Sequence, residues 1–336
     1  MRLTQKQLDK TLRQLDYIVK VYKKKYSKDE KRDWRTYEQR LARRMKIAAK
    51  ELEPVVEEAF SMIDVSKSKR GRPPKIPTTK KVVILLLKRI FQLSNRKMAN
   101  LLMFFTLLTG IDISYKTIER AYSDPLVRMT IHNMFVILTR RKGIENADVS
   151  GDGTGYSLTV TKHYRNESRE RGVKEGKEYK DEKGKKKKAF VYAFGLMDLD
   201  TGMYIGYGVS MKSEKEAFRR AKDMMRKIGI SVKSARLDKY YSYQSIIDEF
   251  DPDTKIYIIP KKNATIKGLP GWKKIIKNFI FNTFPHLSEY YRRNNSESGI
   301  STDKRMCGWK IWQKREERID TALLCTGVWH NLMLLG

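Results

Sequence analysis

Between residues 190 and 237 the hydrophobic period switches from strand to helix and back to strand, and a turn or cap punctuates each switch. Residues 190–197 are an almost unbroken aliphatic and aromatic run, Asp198-Leu199-Asp200-Thr201-Gly202 is turn chemistry, and 203–209 reads as a returning strand. Ser213 stands three residues before Glu216, the spacing of a capping box, so a helix opens there, continues to Ile228 and stops at Gly229. Residues 231–237 read as a strand, 241–250 as a short helix, and 255–259 as a strand closed by Pro260. With a strand region over 147–160 in front, the order is three strands, helix, strand, helix, strand, then helices. That order predicts an α/β domain with a mixed five-stranded sheet and flanking helices.

Charge narrows the partners. Lys and Arg number 71 against 39 Asp and Glu, a formal charge of +32, while 40% hydrophobic residues leave enough apolar material for a core. A polyanion is the partner such a surface selects, and nucleic acid leads because phosphate neutralisation supplies most non-specific affinity. The longest unbroken apolar stretch, Val82 to Leu87, falls far short of the roughly 20 residues a membrane span needs. With no apolar leader after Met1, the chain reads as cytoplasmic and nucleoid-associated, with no membrane partner. Cys307 and Cys325 are the only cysteines, which supports neither a disulfide scaffold nor a zinc site.

Upstream of the sheet the pattern is helical and basic. Residues 1–65 form a helical arm with Leu8, Leu12, Leu15 and Val19 at helical spacing, either a surface helix or a DNA contact. Residues 66–79 are a Pro- and Gly-containing linker with the Arg70-Gly71-Arg72-Pro73 core of an AT-hook. It is either a plain basic linker or a segment whose Arg70 and Arg72 follow the floor of a narrow minor groove. Over 80–143, a helix to about Leu93, a second capped by Ser94 or Asn95, a break at Gly110 and a third capped by Ser114 have the layout of a helix-turn-helix. Lys116 and Arg120 would then face DNA; the alternative is a small bundle with no DNA contact. Residues 144–336 make the α/β domain. Its insertion at 161–188 carries twelve Lys and Arg, six Asp and Glu and almost nothing apolar, so it is a solvated excursion or a phosphate-contacting loop.

Three acids stand at informative places. Asp152 lies between glycines in the first strand, Asp238 follows the strand 231–237, and Glu297 falls in a helical stretch. Crevices beyond strand ends are the usual sites of open α/β sheets. Oxygen ligands suit hard divalent cations, and two such ions serve in-line phosphodiester displacement. Asp148 shares a strand face with Asp152 and remains a competing ligand. Tyr290, Arg293, Glu297 and Lys304 follow the pattern Tyr-x2-Arg-x3-Glu-x6-Lys, and at 100° per residue they fall within about 60° of one another on a helix. There Arg293 and Lys304 would grip phosphates beside the acid. Gly299 argues against a single helix reaching Lys304.

On these residues the chain resembles the DDE transposases of prokaryotic insertion sequences, in the group with this Tyr, Arg, Glu, Lys signature, over about residues 145–336. The resemblance implies a ribonuclease H-like catalytic domain preceded by an all-helical basic DNA-binding region. It implies Asp152, Asp238 and Glu297 as catalytic ligands of two Mg2+ or Mn2+ ions, and Tyr290, Arg293 and Lys304 as DNA contacts. Binding of terminal inverted repeats, metal-dependent strand cleavage, and strand transfer to target DNA would take place in a homodimer or larger synaptic assembly. The alternatives are a catalytically inactive DNA-binding derivative and a hydrolysis-only nuclease of the same fold. Glycine often follows the second aspartate in such proteins, whereas here Lys239-Tyr240 does.

Overall fold

The computed structural model describes residues 3–26, 33–65, 75–106, 110–159 and 190–336. The AT-hook-like core with Arg70 and Arg72 and the basic insertion at 161–188 lie outside the described residues. Six helices come first: α1 (Gln5–Tyr26), α2 (Trp34–Ser61), α3 (Thr78–Ile90), α4 (Asn95–Phe104), α5 (Tyr115–Ala121) and α6 (Pro125–Arg141). Their starts follow local chemistry. Asp33, Ser94, Ser114 and Asp124 each accept a backbone N–H of the first turn, and Pro125 occupies the position where its missing N–H costs nothing.

The sheet then forms from β1 (Asn146–Leu158), β2 (Phe190–Asp198), β3 (Tyr204–Ser210), β4 (Ser231–Leu237) and β5 (Lys255–Tyr257), with α7 (Glu214–Ile228) and the four-residue α8 (Gln244–Ile247) between the later strands. Spatial order is β3-β2-β1-β4-β5; β1, β2 and β3 are antiparallel neighbours, and β4 and β5 run parallel to β1. Three helices follow, α9 (Pro270–Phe281), α10 (Thr283–Tyr291) and α11 (Asn294–Cys307), then a short β6 (Lys310–Ile311) that extends the sheet beside the end of β1, and finally α12 (Glu316–Met333). The chain is thus a mixed α/β protein with a mixed sheet and many helices.

Both sheet faces are covered. On one, α7 lies so close to β3 that a Cβ at Gly208 would stand 2.0 Å from the Ala217 carbonyl oxygen and one at Gly206 2.3 Å from that of Ala221. Only glycine permits that approach. Phe194, Phe218 and Tyr241 make edge-on ring contacts in this core, and Leu8, Leu12 and Leu15 of α1 join it beside Trp272 and Ile275 of α9. The apolar spacing of the arm is therefore a packing signal, and Trp272, whose Nε1–H donates to the Thr265 carbonyl at 2.7 Å, is a core residue. On the other face α12 packs against β3 and against α2, α3 and α6, so the N-terminal helices share one continuous core with the sheet.

Four expectations are corrected. The helix over 241–250 is a 3-10 turn at Lys239–Tyr241 followed by α8, because the Asp238 carboxylate accepts the Tyr240 N–H and turns the chain at once. The strand expected to reach Ile259 ends at Tyr257. The signature helix is broken at Arg292 and Arg293, while Gly299 sits inside an unbroken α11, where a side chain would collide with Met197 at 2.4 Å. Trp309 and Trp312, which the apolar pattern of 309–335 assigns to core packing, are instead 60% and 38% exposed.

Candidate active site

Asp148, Ser150 and Asp152 alternate along one face of β1, and the α10–α11 junction lies across that face. The Arg236 guanidinium at one end, itself buried, contacts both Asp148 and Glu289. Burial raises the Asp148 carboxyl, but Ser234, Arg236 and Lys233 outweigh it and hold the group below the usual range. Asp148 is thereby engaged in a structural network. In the middle, the Ser150 and Ser296 hydroxyls are 2.8 Å apart and Ser296 Oγ donates to the Arg293 carbonyl at 2.8 Å, which seats the junction on the strand.

At the other end is Asp152, whose Oδ1 accepts the Gly153 N–H at 2.9 Å. Across from it, Arg293 Nη2 reaches Asp238 Oδ2 at 3.2 Å and Glu297 Oε1 at 2.7 Å. Burial pushes the Asp152 carboxyl up to about 6; the Gly153 N–H and Arg293 oppose this, and Glu297 and Asp238 add to it. Three acids from β1, the end of β4 and the first turn of α11 thus face one guanidinium. Tyr290 is buried beneath it, its ring centre 5.4 Å from Arg293 Cζ.

Lys304 lies on the same side but is mostly buried, with Nζ 4.2 Å from the Trp309 ring centre and 5.4 Å from that of Tyr156. Burial lowers its pKa, and Asp152 opposes this only in part. Its ammonium group therefore lies against two aromatic rings beside Asp152.

Glu214, which sequence reasoning passed over, also belongs here. It opens α7, accepts the Tyr241 hydroxyl, and fills the space where a Gly153 side chain would be, since a Cβ there would stand 2.3 Å from its Oε1. The available signal was Ser213-Glu214 at a cap, read only for its Ser213 and Glu216 spacing.

The donor set is chemically suited to a hard divalent cation, which would favour the charged form of Asp152 that burial disfavours. Among the described residues, however, no three His, Cys, Asp or Glu side chains are placed to hold one ion. The Arg293 side chain stands between them, with its Nε buried and lacking a hydrogen-bond partner. Cys307 and Cys325 are buried free thiols in the core, and burial pushes both up to about 12.

With this geometry in view, comparison with known proteins is informative. The chain is 44% identical over 283 residues to the "Probable transposase for insertion sequence element ISA1214" of Archaeoglobus fulgidus, covering 84% of this chain and 82% of that protein. The chain belongs to the insertion-sequence transposases. No protein-family model and no solved structure matches it.

Within this transposase, Lys116 and Arg120 of α5 are not gathered with the acids; both are exposed beside the segment that leads into α12. No described helix is long and apolar enough to cross a membrane.

Proposed function

We propose that this transposase is a DDE enzyme that binds the terminal inverted repeats of its element, cleaves DNA there in a divalent-metal-dependent reaction, and joins the freed ends to target DNA. The observation that carries the reading is the convergence of Asp152, Asp238 and Glu297, remote in sequence, on Arg293. The sheet order β3-β2-β1-β4-β5 with three antiparallel and two parallel members supports a ribonuclease H-like catalytic domain.

Two steps follow. Water attacks the phosphorus of a terminal phosphodiester, a new P–O bond forms, and the bond to the 3′ oxygen breaks to leave a 3′-hydroxyl. That hydroxyl then attacks a target phosphodiester, and one P–O bond again replaces another. Asp152, Asp238 and Glu297 would hold Mg2+ or Mn2+, which supplies Lewis-acid stabilisation of the oxygens that gain charge. Arg293 orders the second and third acids, and Glu214, held by Tyr241, fixes the backbone beside Asp152. Joining two ends to one target calls for a homodimer or larger assembly on double-stranded DNA.

The test supplies DNA from the flanks of the gene, carrying its inverted repeats, together with Mg2+ and a target plasmid. Nicks at the repeat ends and joined products are expected. Nicking without joining from a pre-cut 3′-hydroxyl end would reduce the enzyme to a nuclease, and binding without either would leave a DNA-binding protein.

A further inference from the structure

A basic notch of about 370 Å³ lies between α5 and the segment entering α12. Lys116 and Arg120 form one wall, Lys314 and Arg315 the other. Its carboxylate, Glu119, already receives Arg318 Nη1, and Arg318 Nε donates to Ser123 Oγ at 2.7 Å. Thr321 Oγ1 donates to the Tyr122 carbonyl at 2.9 Å, so α5 and α12 are fastened together beneath the notch. The nearby acids are engaged too: Glu317 accepts Ser123 Oγ, and Glu316 faces Arg220 at 3.5 Å.

Among the described residues, Lys116, Arg120, Lys314 and Arg315 have no carboxylate within ion-pair distance, and all four are exposed. Four exposed cations held on two fixed walls repel one another unless an anion lies between them. We infer that this notch grips backbone phosphates of duplex DNA, with α5 on one side and the α12 entry on the other.

The inference rests on the DNA-processing reading and adds a position to it. Lys314 and Arg315 follow β6, whose Lys310 pairs with Ser157 at the far end of the strand carrying Asp152, and β6 in turn follows the helix carrying Glu297. Phosphates held in the notch therefore set the register between the duplex on α5 and the acids. An isolated helix-turn-helix on a flexible tether would provide no such register.

The full chain is titrated with a labelled duplex of arbitrary sequence across a salt series. Lys314→Gln/Arg315→Gln should lower the log–log salt slope by about 1 to 2, at roughly 0.9 for each lost phosphate contact, with an unchanged melting temperature. Lys116→Gln/Arg120→Gln, on the opposite wall, should give a similar fall. Lys273→Gln/Lys277→Gln, an equal loss of charge from the exposed side of α9, should leave the slope alone. An unchanged slope in both notch variants, or an equal fall in the α9 control, overturns the notch while leaving duplex binding intact. A parent chain with no salt-dependent duplex binding overturns the DNA-binding reading as well. Inorganic phosphate alone should not raise the parent's melting temperature; a rise lost in the notch variants would make this a small-anion pocket and overturn the proposal.

Discussion

Asp238 and Glu297, one at the end of β4 and one in the first turn of α11, meet on a single nitrogen: Arg293 Nη2 lies 3.2 Å from the first carboxylate and 2.7 Å from the second. The guanidinium thus holds the like-charged acids in one place and also lowers the pKa of Asp152. Arg293→Ala should move Asp152 further upward. Because the deprotonated acid is the working form, the acidic limb of the cleavage pH profile should shift to higher pH, with a reduced plateau. An unshifted limb in a folded variant would show that Arg293 does not tune this group.

Asp152 destabilises the metal-free fold. Its folded pKa of about 6 lies above the ordinary carboxyl value of 3.8, so stability is full below the lower value and is lost as pH rises through the higher one. In chelator at neutral pH, Asp152→Asn should therefore be more stable than the parent by up to about 3 kcal/mol, taking 1.36 kcal/mol per unit, while losing cleavage. Thermal melts at pH 4 and pH 7, in round figures, check both ends of the window. A stability difference that does not vary with pH would contradict the assignment.

Gly153 and Glu214 compete for the same space. A Cβ at position 153 would displace the Glu214 side chain, which is held by the Tyr241 hydroxyl. Gly153→Ala and Tyr241→Phe should each destabilise by about 1 kcal/mol, the scale of one hydrogen bond, and should cost less together than their sum. Chemical denaturation of the four proteins in the cycle measures the coupling; strict additivity would separate the two sites.

The α11 helix is also anchored behind the site. His330 Nδ1 lies 2.8 Å from Asp303 Oδ1, its Nε2 lies 2.9 Å from the Gly202 carbonyl, and the Tyr204 hydroxyl donates to Asp303 Oδ2 at 2.7 Å. Burial lowers the His330 pKa, but Asp303 and the Gly202 carbonyl outweigh it and leave it raised above 6.5. Its stabilisation is complete below 6.5 and disappears as pH climbs through the raised value. The parent's melting temperature should fall as pH rises from 6.5 through that raised value, and His330→Gln should flatten the fall. Parallel curves for the two proteins would exclude the pair as the cause.

Sequence reading located much of this because caps and periods are local. Ser94, Ser114 and Ser213 do cap helices, and the strand over 231–237 lies where its alternation and flanking turn residues put it. What escaped depends on contacts between remote residues. The break at Arg292 and Arg293 is invisible to helical periodicity because both residues keep right-handed helical dihedrals, and it is Ser150 and Ser296 that seat it. Gly299 reads locally as a breaker, yet its lack of a side chain serves the approach of α11 to Met197 and His330. Asp148 and Asp152 are equivalent by strand alternation; Arg236 beside one and Arg293 beside the other distinguish them. Lys304 was sought for its charge, and Tyr156 and Trp309 account for its position.

Asp238 offers the most direct test, since beyond the Arg293 guanidinium its side chain holds only the Tyr240 N–H of a short turn at the end of β4. Asp238→Ala and the parent are compared on inverted-repeat duplex for binding and for Mg2+-dependent nicking. Near-parental affinity with no nicking above background is the expected result; nicking at the parental rate would contradict the role given to the three acids.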